Sequence, residues 1–251
     1  VLLLLLIARR HILRDWPILC RHLPYLCLMG GCGFSAFNAL FYVAGHHTTA
    51  INIGVLQGSI PIFVLLGNLM FLRQPIRPIQ GIGVVLTLLG VVTVASHGDF
   101  AQLGELRINR GDGFVLIGCV FYAAYSVGLS RRPGVSALSL FAVMAAAAWL
   151  ASLPLVTIET LQQGWAAPSA TGWLLAVLVT LLPSFVAQIF FIQGVSLIGS
   201  GRAGVFVNLV PVFASIMAVL FLRERFESYH ATALLLVLGG IGLSEFGKSS
   251  A

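Results

Sequence analysis

The residues of this sequence that can do chemistry are few, and most are uncharged. Asn38 and Tyr42 are four positions apart, which puts them one turn apart on one helix face. Asn52, Gln57, Ser59 and Asn68 punctuate one long apolar run, and Tyr122, Tyr125 and Ser126 cluster in another. Ser184, Gln188 and Gln193 lie in a third run, Asn208 and Ser215 in a fourth. In an apolar medium such groups either bond helix to helix or line a wet cavity. Taken singly, each residue is open to both readings. As a set they offer hydrogen bonds to a neutral or zwitterionic organic solute. The solute-contact candidates are Asn38, Tyr42, Gln57, Tyr122, Tyr125, Gln188 and Asn208.

Other chemistries lack their residues. No His-Glu-x-x-His occurs for zinc, and no glycine-rich phosphate loop closes on Lys-Ser/Thr. Cys20, Cys27, Cys32 and Cys119 have no metal-like spacing and read as small packing residues. His46-His47 has no third ligand nearby and reads as an interfacial turn. Gly111-Asp112 resembles an intramembrane aspartyl motif only loosely, since a second embedded Asp to share a proton is lacking. Glu159 and Glu245 fall at the ends of runs, so an embedded carboxylate relay is not expected. Arg202 opens a run, either as a positive anchor or as a group reaching toward an anionic solute. The expectation is a non-enzyme with no metal or cofactor.

These residues need positioning by elements that suit an apolar medium. The chain is 59% hydrophobic and 9% charged, with mean hydropathy +1.00. Soluble domains carry about a quarter charged residues, so this chain reads as an integral membrane protein. Its net charge of +6 is spread over short gaps between apolar runs. No dense basic tract interleaved with aromatics appears, which argues against a nucleic-acid partner. A helix needs about 20 apolar residues to span the hydrocarbon. Runs at 24–44, 49–72, 78–96, 113–130, 136–158, 171–194, 202–222 and 230–246 meet that need approximately, and 1–8 reads as the tail of a further span. They are too long and too uniformly apolar for barrel strands.

The runs repeat. Gly54–Arg73 matches Gly204–Arg223 at an offset of 150 without a gap, aligning Gly54 with Gly204, Pro61 with Pro211, Phe63 with Phe213 and Phe71-Leu72-Arg73 with Phe221-Leu222-Arg223. The register continues through Leu86/Leu236 and Gly90/Gly240. The run at 113–130 has no partner within the sequence, because its partner would precede Val1. The expected fold is therefore all-α integral membrane. It has two five-helix repeats, a ten-helix carrier in which this chain lacks the first helix and most of the second. Five is odd, so the second half enters the membrane from the opposite side, and the repeat is inverted. The expected domains are a first repeat at 1–98, an external linker at 99–112 and a second repeat at 113–247.

Positive residues orient the chain. Arg9, Arg10, Arg14, Arg21, Arg73, Arg77, Arg131, Arg132, Arg202 and Lys248 fall on one set of connections, which reads as cytoplasmic. Arg107, Arg110, Arg223 and Arg225 on the other set are accompanied by Asp99, Glu105, Asp112, Glu224 and Glu227. The expected location is the cell (inner or plasma) membrane, multi-pass, with the C-terminus in the cytoplasm. Pro61 and Pro211 recur at one place in both halves and are the hinge candidates, since proline removes a helix hydrogen bond.

The Pro-x-Phe within an apolar helix, the Phe221-Leu222-Arg223-Glu224-Arg225-Phe226 ending and the glycine-bearing last helix resemble the EamA domain of the drug/metabolite transporter superfamily. The first copy is similar, with Gln74 where the family usually has Glu. The resemblance implies a bacterial inner-membrane carrier exporting amino acids, other metabolites or drugs. The expected function is secondary transport of small organic solutes by alternating access. The expected partners are a small-molecule solute and the lipid bilayer, with oligomeric state open. The alternatives are a non-transporting membrane scaffold or receptor and a membrane-embedded enzyme.

Overall fold

The computed structural model describes residues 1–73, 75–96, 98–99, 109–129, 131–164, 167–187, 190 and 209–246. All secondary structure among them is helical. We number the helices α1 (Leu2–Arg21), α2 (Leu23–Ala44), α3 (Ala50–Gln57), α4 (Ile60–Leu72), α5 (Pro78–Ala95), α6 (Arg110–Leu129), α7 (Ala137–Gln163), α8 (Ala170–Val186), α9 (Val210–Leu222) and α10 (Ser228–Phe246). Among the described residues α2, α3 with α4, α6 and α7 are each long and apolar enough to cross a membrane. The chain divides into one compact unit of residues 1–149 and 208–251 and another of 150–207.

Helix starts follow from local chemistry. Thr49 caps α3 by accepting from the Asn52 N–H at 3.2 Å, and Ser169 caps α8 by accepting from Gly172 at 3.1 Å. Pro78 opens α5, and the Gln80 side chain reaches back to the Arg77 N–H at 2.9 Å. Two helix ends are unusual. α4 and α9 both stop on an arginine in the left-handed region, Arg73 at φ 55° and Arg223 at φ 57°. That conformation costs a residue with a Cβ about 1–2 kcal/mol. It recurs at one register position of the 150-residue repeat.

Inside the first unit the most extensive helix contact is between α5 and α10. It rests on small residues. A Cβ on Gly83 would meet the Gly240 carbonyl and Ser244, and a Cβ on Gly240 would meet the Gly83 carbonyl and Thr87. One on Gly90 would lie 2.9 Å from the Ala233 carbonyl. The helices therefore run antiparallel, with 83 against 240 and 90 against 233. Those two contacts exchange under a shift of 150 residues. Buried Ile51, Val55 and Leu56 of α3, Val91 and Val94 of α5, Val115 and Cys119 of α6, Ala218 of α9 and Val237 of α10 form the core around this pair.

The structure departs from the sequence expectation at α1. The stub 1–8 continues as helix through the charged stretch to Arg21. One buried group explains the order. Asp15 accepts from the Ser136 N–H at 2.9 Å and the Ser139 hydroxyl at 2.8 Å, clamping α1 to the first turn of α7. The Ser136 N–H above all, then the Ser139 hydroxyl, holds the Asp15 carboxyl well below the usual carboxylate range, with Arg14 Nε at 3.1 Å assisting. A depressed carboxylate stabilises the fold above its unfolded pKa, and that stability is lost as pH falls through the folded value. The expected outcome is a wild-type melting temperature in detergent that falls as pH drops below about 4. Asp15→Asn should melt lower at neutral pH and show a shallower decline, measured by tryptophan fluorescence.

Candidate solute-binding region

Two of the apolar helices lose regular geometry part-way along their length. Residues Gly31–Ala36 within α2 are π-helical. So are Thr180–Val186 within α8. Shifted by 150, the first segment falls at 181–186, inside the second. π-bulges inside helices are rare and frequent at functional sites. In α8, Pro183 supplies no N–H for the ladder, and the Ser184 hydroxyl instead donates to the Val179 carbonyl five residues back at 3.1 Å. In α2, Gly33 occupies the register position of Pro183. Its missing side chain matters, because the Tyr125 side chain occupies the space that a Cβ there would take.

Around the α2 segment the aromatic candidates come together. Phe34 packs on Tyr125 with ring centroids 5.2 Å apart and on Phe141 at 5.8 Å. Phe37 packs on Tyr122 at 4.9 Å, and Tyr122 on Tyr125 at 5.6 Å. Neighbouring polar groups act between helices, with the Ser35 hydroxyl donating to the Ala148 carbonyl at 2.6 Å and the Tyr25 hydroxyl to the Gly128 carbonyl at 2.8 Å. Tyr122 and Tyr125 are half-buried on this aromatic wall. Asn38 is exposed, and its amide donates to the Phe34 carbonyl at 2.7 Å, across the last bonds of the π segment. Tyr42, one turn further, is 64% exposed.

Gln57 lies elsewhere. It is the one amide among Ala50, Ile53, Gly54, Ala214, Met217, Ala218, Phe221 and Leu222, which line a cleft of about 430 Å³ between α3 and α9. Gly54 lets the two helices meet, since a Cβ there would stand 2.6 Å from Ala214 Cβ. The run at 49–72 is broken between α3 and α4 at Gly58-Ser59, just ahead of Pro61. Pro61 thus sits in the first turn of α4, where a missing N–H costs nothing, and Pro211 holds the same place in α9. The break shifts the bonds of Gly58 and Ser59 to carbonyls three residues back. Gln188 and Asn208 lie outside the described residues. Of the seven candidates, then, Tyr122 and Tyr125 meet at the π segment with Asn38 and Tyr42 on the same helix, and Gln57 faces a separate cleft.

Two groups that sequence reasoning set aside prove to be built into this unit. Glu224 follows α9, and its carboxylate accepts from the Ala50 N–H at 2.8 Å and the Ile51 N–H at 3.0 Å, capping α3 from another helix. Asp112 is buried in the first turn of α6 and accepts from the Thr48 hydroxyl at 2.6 Å. A sequence signal for each existed: a carboxylate just past the repeated Phe-Leu-Arg, and one just inside a helix mouth.

The arrangement is that of a membrane protein with polar, uncharged surfaces at irregular helix positions. The profile of the EamA-like transporter family matches residues 1–96 and 109–245. The chain belongs to that family. Among relatives of this EamA chain, the uncharacterized transporter YetK of Bacillus subtilis is 24% identical over 99% of this chain and 75% of its own length. A protein of Streptantibioticus cattleyicolor named "Probable terminal-alkyne amino-acid exporter" is 25% identical over 89% of this chain and 72% of its own. A protein of known crystal structure, 19% identical, superposes with a TM-score of 0.57 over 91% of this chain and 77% of its own, which shows a shared fold.

Proposed function

We propose that this EamA-family chain is a secondary transporter that moves small neutral or zwitterionic organic solutes by alternating access. The observation carrying this reading is the recurrence of backbone irregularity at matched positions. Both π segments and both left-handed helix ends recur at an offset of 150. The exchange of the 83–240 contact for 90–233 supports two halves related by inversion, five helices in each, in a ten-helix carrier. Repeats placed at 1–98 and 113–247, joined by 99–112, fit that pattern. In this reading paired irregularities let matching helices bend in opposite senses, and Pro61 and Pro211 mark where bending begins.

The aromatic wall of Tyr122 and Tyr125 is the proposed contact for the apolar part of the solute, with Asn38, Tyr42, Gln57, Gln188 and Asn208 supplying hydrogen bonds. A scarcity of embedded charge favours neutral and zwitterionic solutes. The Streptantibioticus cattleyicolor relative, named a probable terminal-alkyne amino-acid exporter, supports amino acids as the first class to test. Positive residues favour a cytoplasmic C-terminus in the cell membrane.

The test is exchange of radiolabelled amino acids in proteoliposomes holding the full-length protein. At least one should exchange above the protein-free background. Tyr125→Ala should lower kcat/KM about 10-fold or more, the loss of roughly 1.4 kcal/mol of aromatic contact. Exchange of no solute, or wild-type exchange by Tyr122→Ala/Tyr125→Ala, would overturn the reading.

A further inference from the structure

The second half of α1 carries a charged surface that neither helix packing nor solute contact uses. Ala8, Ile12, Asp15 and Leu19 turn toward the protein and are wholly or partly buried. Their spacing is that of one helix face. The exposed remainder falls into two stripes. Arg10, Arg14 and Arg21 share one, at i, i+4 and i+11. Leu13, Trp16 and Cys20 follow Arg9 on the other, with Leu13 63% and Trp16 53% exposed. Charge on this surface is of one sign. Asp15 is the only acidic residue between Val1 and Gly98, and its carboxylate is turned inward onto Ser136 and Ser139. Arg14 Nε reaches it at 3.1 Å while its own side chain stays 69% exposed. Arg9, Arg10 and Arg21 form no hydrogen bond or ion pair among the described residues. Three guanidinium groups therefore face outward uncompensated by the chain, and a fourth shares one carboxylate oxygen.

The two stripes together specify the partner. Water would satisfy the arginines but leave Leu13 and Trp16 unburied. Hydrocarbon would bury those two but strand the charges. The headgroup layer of a bilayer does both, with the indole at its apolar margin and the arginines reaching phosphate. Every cation here is arginine, whose planar fork takes two phosphate oxygens where lysine acts as a point charge. A zwitterionic headgroup offers its phosphate beside a cation of its own. An anionic phospholipid offers phosphate without that competitor. Free phosphate brings the same anion but nothing to cover Leu13 and Trp16.

We propose that residues 9–21 of α1 form a binding face for anionic phospholipid, with Arg10, Arg14 and Arg21 on phosphate and Leu13 and Trp16 at the acyl boundary. The face uses none of the solute candidates and stands apart from the transport reading.

The experiment places the full-length protein in phosphatidylcholine nanodiscs containing a minor share of phosphatidylglycerol. Bromine on the acyl chains of one lipid or the other quenches a nearby tryptophan, and the difference between wild type and Trp16→Phe isolates the signal of Trp16. At equal content, brominated phosphatidylglycerol should quench Trp16 more than brominated phosphatidylcholine does. The melting temperature in detergent should rise with phosphatidylglycerol and not with phosphatidylcholine or inorganic phosphate. Arg10→Gln/Arg21→Gln removes two guanidinium groups that hold nothing in the fold. It should lower the apparent affinity for phosphatidylglycerol, read by titrating its share, about 10-fold or more with unchanged helix content. Equal quenching by the two lipids, quenching by neither, or wild-type preference in Arg10→Gln/Arg21→Gln would overturn the proposal. So would equal stabilisation by inorganic phosphate, since the face would then take a free anion. If phosphatidylglycerol is preferred and no solute exchanges, the transport reading fails and the lipid face survives.

Discussion

Replacing Gly240 by leucine should abolish the folded state, and replacing Gly239 should not. The two glycines are adjacent on α10, yet a Cβ at Gly239 meets nothing within 4 Å, whereas one at Gly240 runs into Thr87 and the backbone of Gly83. Backbone cannot move aside as a side-chain tip can, so the helices must separate. Overpacking of this kind costs about 1–3 kcal/mol and occasionally more. Separation also forfeits the close contact that small residues permit in lipid. Loss of about 3 kcal/mol or more is expected for Gly240→Leu, read as loss of monodisperse protein on size-exclusion chromatography. Gly90→Leu should behave alike, because it is the repeat counterpart of Gly240 and faces Ala233 and Val237. Survival of Gly240→Leu at wild-type yield would remove the α5–α10 contact from the account.

The second large effect is at Glu224. Its carboxylate meets two N–H groups of α3 that no intrahelical carbonyl can satisfy. Each is a charge-assisted bond of roughly 1.5–3 kcal/mol, partly recovered by water in the variant. Glu224→Ala should therefore cost about 2–3 kcal/mol, and Glu224→Gln about half, since an amide offers one acceptor oxygen. The reading is the melting temperature in detergent. The bond ties the end of α9 to the start of α3, the two helices that enclose the Gln57 cleft. A carrier that opens this end must break the tie, so Glu224→Ala should also shift the balance of conformers in exchange assays. A melting temperature unchanged in both variants would contradict the capping role.

Much of the architecture was legible because lipid imposes a simple rule. Residues without charge for some twenty positions must be helical. The runs at 24–44, 78–96 and 113–130 accordingly match α2, α5 and α6 to within a few residues. The apolar run ends near residue 8 but α1 continues to Arg21, since charge there reads as a loop in sequence while in the fold Asp15 is held by Ser136 and Ser139. The break at Gly58 was legible as a proline effect but not in place. The bend falls before Pro61 because proline fits a first turn better than a helix interior.

The site was read less well, for a physical reason. A π segment leaves no compositional mark, and Gly33 and Pro183 reach the same distortion by different means. Asp112 was counted among the charges of the connections, yet it is buried. Burial comes from the turn at 45–49 folding over the helix mouth, which requires Gly111.

The central claim is that the two halves lie in the membrane in opposite senses. Arg73 and Arg223 end repeat-equivalent helices, so their sidedness tests it most directly. Each is replaced by cysteine in a full-length background with native cysteines changed to serine. Intact cells are then treated with a membrane-impermeant maleimide. The account predicts labelling of Arg223→Cys from outside, with Arg73→Cys labelled only after the membrane is opened. Labelling of both positions from one side would contradict the inversion and the carrier mechanism built on it.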